Sequence, residues 1–249
     1  MDRNFLDAYY KMERDHWWFR VREEIILDHF MSHIYKDKPL QILNVGAATG
    51  RSSEMLEPFG QIQSIEYDEP SYQFCRDVLN MKIDQGSITA LPYADHAFDC
   101  VCAFDVVEHV EDDQKAIEEL FRVCKPGGKI FITVPAFMSL WSNHDVVNHH
   151  FRRYRKNQMI RLFVPHGGKL LRTTYFNFFL FIPIFLVRSL QKLFTRKKQE
   201  ELKPDNDMIE SGFINAVFKS IFAFERHLLK KINFPFGVSL LVLWEKKKN

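Results

Sequence analysis

The sequence predicts an α/β fold built on a doubly wound, mostly parallel sheet of Rossmann-like type. Three observations carry this expectation. Between residues 40 and 135, short apolar runs alternate with amphipathic stretches of helical size, the pattern of successive βα units. The first run ends in a cramped turn, ILNVGAATG at 42–50. The segment DDQKAIEELFRVCK at 112–125 sets Ala116, Ile117, Leu120, Phe121 and Val123 near helical spacing and stops at Pro126-Gly127-Gly128.

Taken in order, residues 3–34 read as helical and contain HWWFR at 16–20. LQILNV (40–45) reads as the first strand, RSSEMLEPF as a helix, QIQSIE (61–66) as a strand and PSYQFCRDVL as a helix. A weak strand follows around MKI (81–83), then DCVCAF (99–104) and KIFITV (129–134). FNFFLFIPIFLV (176–187) is nearly all apolar, yet shorter than the roughly 20 residues a bilayer requires and interrupted by Pro183. A charged linker, TRKKQEELKPDND (195–207), leads to a second apolar-periodic segment, FINAVFKSIFAFERHLLKKI (213–232), and VSLLVLWE (238–245) closes the chain as a strand. The expected organisation is one domain: an N-terminal helical lid (1–36), a core (37–175), a hydrophobic helical insertion (176–232) and a last strand (233–249).

At 249 residues, 46% hydrophobic and 27% charged, the chain can bury a substantial core. Four cysteines without CxxC spacing, and an N-terminus lacking an apolar signal region, lead us to expect a reduced, cytoplasmic protein. The net charge of +2 conceals an asymmetry: residues 1–150 hold 14 Lys/Arg against 25 Asp/Glu, and residues 151–249 hold 20 against 7. Either the basic part meets an anionic partner or the two parts attract each other within one fold.

Glycines at 46 and 50 suit close approach of a ligand to the backbone. The turn lacks the GxGxxG of dinucleotide folds and the GxxxxGK[ST] of phosphate loops. Twenty residues on, Glu66 ends the second strand, where an acid can accept both hydroxyls of a ribose. A ribose without a pyrophosphate points to S-adenosyl-L-methionine.

With these residues in view, the sequence over most of 40–175 resembles the class I S-adenosylmethionine-dependent methyltransferases, in particular their small-molecule and quinone-type group. ILNVGAATG is similar to that family's first motif, SIEYDEP to its acidic strand end, GSITALPYADHAFDCV to its adenine-side segment, and ELFRVCKPGGKIFITVP to its helix–turn–strand. The resemblance implies seven strands, the last antiparallel, with a helical insertion before it. It implies cofactor contacts from Gly46, Ala47, Ala48, Gly50, Glu66, Tyr67, Ser87, Ile88, Phe104, Asp105 and, from the lid, Trp18. Asn44, Ala48 and Ser87 depart from residues common in the family.

Methyl transfer needs a positioned acceptor and often a proton acceptor. His144 and His109 are the expected bases, with Asp105 near the methyl group. Asp105-Val-Val-Glu108-His109 could set three ligand-type side chains around one point, and a similar E-x-x-E-H occurs in metal-using methyltransferases, but packing and cofactor contact are the favoured reading and no metal is expected. The loop WSNHDVVNHHFRRYRK (141–156) offers Trp141, His149, His150, Arg152, Arg153 and Tyr154 to a substrate, the paired arginines suiting an anionic group.

The expected function is methyl transfer to a small-molecule or lipid-linked acceptor, hydrophobic and anionic. Two alternatives stand beside it: a nucleic-acid methyltransferase, and a non-catalytic cofactor-binding or interaction protein. FDVVEH stands where base-amino methyltransferases carry [DNS]-P-P-[YFW], and the basic part is interleaved with long apolar runs, so no nucleic-acid partner is expected. For 176–232, flanked by Arg188, Lys192, Arg196, Lys197 and Lys198, two readings stay open: an interfacial helix pair on the anionic inner face of a membrane, or a cap over the site.

Overall fold

A computed structural model describes residues 3–194 and 212–248. The linker expected at 195–207 and the cations Arg196, Lys197 and Lys198 lie outside the described residues.

One sheet organises the molecule. Its strands are β1 (Leu40–Val45), β2 (Gly60–Glu66), β3 (Ile83–Gln85), β4 (Phe98–Phe104), β5 (Cys124–Pro135), β6 (Lys169–Phe176) and β7 (Ser239–Glu245). They lie in the order β3-β2-β1-β4-β5-β7-β6. The first five pair in parallel, and β7 inserts antiparallel between β5 and β6. The order in which strands are added reverses between β1 and β4, which lie side by side but are separated in sequence by two βα units. Ligands of such sheets gather beyond the strands' carboxyl ends at that switch point.

Burial on both faces explains the near-continuous apolar runs of β1, β4 and β5. On one face, Val101 and Ala103 of β4 pack with Ala116, Ile117 and Leu120 of α5 (Asp113–Val123) and with Met159 and Phe163 of α7 (Lys156–Phe163). On the other, Cys100, Cys102 and Phe104 meet Ile25, Ile26 and Phe30 of α2 (Trp17–His33) and Phe222 of α9 (Gly212–Leu229). The four cysteines are buried and free. α5 is capped by the Asp112 carboxylate, which accepts from the Lys115 amide at 2.9 Å. It ends where Cys124 turns extended, just ahead of Pro126.

Three boundaries differ from expectation. The N-terminal helix is two helices, α1 (Arg3–Asp15) and α2, because His16 adopts an extended conformation and its Nδ1 caps the Trp18 amide at 3.3 Å. The third strand lies at 83–85 rather than 81–83. The fifth begins at Cys124, with the Pro-Gly-Gly segment running alongside β4 as an irregular register shift. Between β6 and β7, the insertion folds as α8 (Phe181–Phe194) and α9, and α9 is clamped to α2 by Arg226, whose guanidinium meets Glu24 and Asp28 at 2.7 and 2.6 Å.

Candidate active site

The turn after β1 is shaped by two left-handed glycines, Gly46 at φ +75° and Gly50 at φ +81°. A Cβ on Gly46 would lie 2.4 Å from Val106 Cγ2, so the turn and the loop after β4 approach as only glycine permits. Between the glycines Ala48 is also left-handed, at φ +48°, which gives a physical reason for glycine being common there. The Ala48 amide donates to Glu66 Oε2 at 2.8 Å, and the Tyr67 and Asp68 amides donate to Oε1 at 2.8 and 2.9 Å. Three amides thus hold one buried carboxylate at the end of β2. Its burial nonetheless raises the pKa.

Around this point, Ser87 is half-buried and bonds Thr89 through its hydroxyl at 2.8 Å, Ile88 is buried in the core, and Tyr67 stands 75% exposed. Phe104 packs edge to face on Phe131, with ring centroids 5.3 Å apart.

The two N-terminal helices cover the same edge. From α1, Glu13 accepts from the Thr49 hydroxyl, and Arg14 donates to the Thr49 carbonyl at 3.4 Å and pairs with Glu54. From α2, Arg22 Nη2 donates to Asp105 Oδ2 at 2.7 Å and to Thr133 Oγ1 at 3.1 Å; Thr133 in turn donates to Asp105 Oδ1 at 3.1 Å. Asp105 sits in the left-handed region at φ +56°, a strained conformation for a residue with a side chain. Trp18 lies beside this cluster, its ring 6.0 Å from the Arg22 guanidinium. Glu13, Arg22 and Thr133 escaped the sequence reading. The signal available was slight: Arg22 stands one helical turn after Trp18.

The loop after β5 departs most from expectation. Arg153 is not open to a substrate. It is buried, and its Nε and Nη2 donate to the two oxygens of Asp145 at 2.7 and 2.9 Å. Asp145, fully buried, also accepts from His150 Nδ1 at 2.8 Å and the Ser142 amide at 2.8 Å. Burial pushes its pKa up, but the His150 and Arg153 hydrogen bonds more than offset this and hold it well below the carboxylate range. Tyr154 is likewise buried, its hydroxyl donating to Asp113 Oδ2 at 2.9 Å, and Arg152 pairs with the same oxygen at 2.9 Å. Both arginines are therefore satisfied by acids of this chain. Trp141 is half-buried and His149 exposed, the latter at φ +55°.

The expected bases do converge. The rings of His109 and His150 stand 4.5 Å apart, and those of His144 and His150 6.1 Å. His109 reaches the surface but is densely surrounded. That desolvation, with His150 next to it, lowers its pKa to about 4, so it is neutral at neutral pH. Asp105 does not join Glu108 and His109 as a third ligand-type group, because its carboxylate is turned to Arg22 and Thr133.

Residues 43–132 match the family model described as a methyltransferase domain. Over 126 residues the chain is 26% identical to a probable S-adenosylmethionine-dependent methyltransferase of Mycolicibacterium smegmatis, covering 50% of this chain and 48% of that protein. Over 115 residues it is 27% identical to the ubiquinone/menaquinone biosynthesis C-methyltransferase UbiE of Cronobacter sakazakii, covering 42% and 46%. The chain thus spans about half the length of the curated relatives it matches. A solved structure of an S-adenosylmethionine-dependent methyltransferase from Archaeoglobus fulgidus superposes with a TM-score of 0.59 at 15% identity, over 98% of this chain and all of that one.

Proposed function

We propose that this chain, a member of the class I S-adenosylmethionine-dependent methyltransferases, transfers a methyl group to a hydrophobic small-molecule or lipid-linked acceptor. The observation that carries this reading is the buried Glu66 carboxylate, held by three amides against the two-glycine turn. Two carboxylate oxygens offer about four acceptor positions, so three amides leave capacity for a ribose hydroxyl. The surrounding residues fit the rest of the cofactor. Gly46, Ala47, Ala48 and Gly50 would flank the methionine part, and Ser87, Ile88 and Tyr67 the adenine. Arg22 and Glu13 bring one charge of each sign, matching the carboxylate and ammonium of an amino-acid tail. The bound cofactor supplies the electrophilic methyl group. The protein's share is to exclude water through α1 and α2, to orient the acceptor, and to take its proton at His109 or His144 where the acceptor has one to lose.

The acceptor class rests on α8. Ile182, Leu186 and Leu190, one face of that helix, are each more than half exposed, and Phe224 of α9 adds to the apolar surface. No helix among the described residues is long and apolar enough to cross a membrane. An exposed apolar stripe without a span suits contact with a lipid surface or a lipid-linked substrate. The similarity to a ubiquinone/menaquinone biosynthesis C-methyltransferase supports a hydrophobic acceptor. The anionic part of the expected acceptor loses its support, since Arg152 and Arg153 are already paired.

Calorimetric titration with S-adenosylmethionine tests the cofactor half. Losing a charge-assisted bond costs about 1.5–3 kcal/mol, so Glu66→Ala should bind roughly 10–100-fold more weakly. An unchanged affinity would mean that the ribose lies elsewhere. Sedimentation with anionic vesicles at low salt tests the acceptor half. Full-length protein should pellet, and Ile182→Glu with Leu186→Glu should release it; wild type left in the supernatant would remove the lipid-surface reading.

A further inference from the structure

Away from the turn after β1, a carboxylate is left in an unfavourable state. Glu108 is fully buried and neither of its carboxylate oxygens has a hydrogen-bond partner. A buried carboxylate without partners is costly unless it is neutralised or meets a cation. Two imidazoles stand beside it. One ligand-type atom from each of Glu108, His109 and His150 lies within 4.8 Å of the others.

One of the two imidazoles, His150, is already anchored as a ligand would be. Asp145 Oδ1 lies 2.8 Å from His150 Nδ1, so this ring is anchored through Nδ1 and Nε2 is the nitrogen left for an ion. The His109 ring packs edge to face on that of His150, with centroids 4.5 Å apart. An imidazole anchored by one nitrogen to an oxygen, with the second nitrogen free, is the usual arrangement of a metal-binding histidine. The anchor of His150 is itself held in place by Arg153 and the Ser142 amide. The two segments that supply the donors are joined where they meet, by the Phe151 amide donating to the Glu108 carbonyl at 2.8 Å.

We infer that Glu108, His109 and His150 form a binding site for a divalent first-row transition metal ion. Two nitrogens and one carboxylate select an ion such as Zn²⁺ over Mg²⁺ or Ca²⁺, which prefer oxygen donors throughout. Bonds of about 2.0–2.2 Å in a tetrahedral arrangement require donors roughly 3.4 Å apart, within reach of small side-chain rotations from the present positions. Three protein donors leave a fourth position for water or another small ligand. The site is argued without the methyl-transfer reading, but an ion there would occupy the His109 nitrogen and leave His144 as the base of that reading; it departs from the sequence-based expectation of no metal. The D-x-x-E-H spacing suggests Asp105 as the third donor, whereas the fold supplies His150, from 42 positions further along.

The full-length protein, freed of metals with a chelator and dialysed, is titrated with Co²⁺ and, separately, with Zn²⁺ against a chromophoric chelator. One equivalent of Co²⁺ should bind with visible d–d absorption, and Zn²⁺ should compete it away. His109→Ala and His150→Ala should each weaken Zn²⁺ binding at least 100-fold, whereas His33→Ala, on α2, should leave it unchanged. Circular dichroism of each variant establishes that it is folded, and the His109 variant, altered at an exposed position, guards against misfolding of the buried loop. Failure of the wild type to bind either ion, or unchanged affinity in a folded His109→Ala protein, would overturn the assignment.

Discussion

Glu225 offers a stability measurement whose size can be worked from the structure. It lies on α9, fully buried, and its Oε2 accepts from the amides of Phe178 and Phe179 at 2.8 and 3.3 Å, at the corner where β6 gives way to α8. Its Oε1 has no partner. Burial raises its pKa from the ordinary 4.5 to about 7, against the pull of the backbone amides. A carboxyl group whose folded pKa is raised contributes stability that is complete below the unfolded pKa and is lost as pH rises through the folded one. The window therefore runs from about pH 4.5 to about 7. At 1.36 kcal/mol per pKa unit, a shift of this size corresponds to no more than about 3 kcal/mol.

Glu225→Gln keeps an oxygen acceptor for the amides and cannot ionise. Urea unfolding of both proteins at pH 5 and pH 8 cancels the titrations they share. The wild type should lose up to about 3 kcal/mol more than the variant between the two pH values. Parallel stability curves would refute the reasoning, because they would mean that Glu225 is as easily ionised in the fold as in the unfolded chain.

Three further outcomes follow from the same geometry. Asp145→Asn strips the ionised partner from buried Arg153 and should cost about 3–5 kcal/mol in chemical denaturation; a loss under about 1 kcal/mol would contradict a structural role for the pair. Gly46→Ala forces a Cβ against Val106 in a left-handed turn and should lower the melting temperature and weaken cofactor binding together, so normal affinity by calorimetry would separate the turn from the cofactor. Arg22→Ala releases Asp105 from its ion pair and should weaken S-adenosylmethionine binding, whereas Arg152→Ala should leave it unchanged; equal effects would deny Arg22 a place at the cofactor.

How much of this is legible in the sequence depends on burial. β1, β2, β4 and β7 fall within a residue of the expected limits, because strands buried within a sheet covered on both faces must be apolar for most of their length. β3 is misplaced because it is a short edge strand in which only Ile83 is buried and Asp84 and Gln85 face solvent. β6 carries no clean pattern, its first half being only partly covered and its burial confined to Thr173–Phe176. The turn after β1 is legible because Gly46 and Gly50 answer a backbone requirement that few other residues meet. The roles of the arginines are not, because their partners are set by the fold: Arg152 finds Asp113 across 39 positions and Arg22 finds Asp105 across 83.

The charge asymmetry illustrates the same limit and resolves in part. A basic C-terminal segment suits an anionic partner or an acidic N-terminal half equally well. In the fold, Arg226 and Lys230 of the basic part sit on Glu24 and Asp28 of α2, Arg152 on Asp113 and Arg153 on Asp145. Each of these cations has an acid of the same chain at 2.6–3.2 Å, so its charge is largely spent inside the molecule. While Lys219 and Lys231 of the insertion also stand exposed, what α8 offers to the outside is an apolar face, Ile182, Leu186 and Leu190. An affinity of this face for membranes should then depend on those side chains more than on salt. Vesicle binding that collapses between low and moderate ionic strength, yet survives Leu186→Glu, would reverse that order.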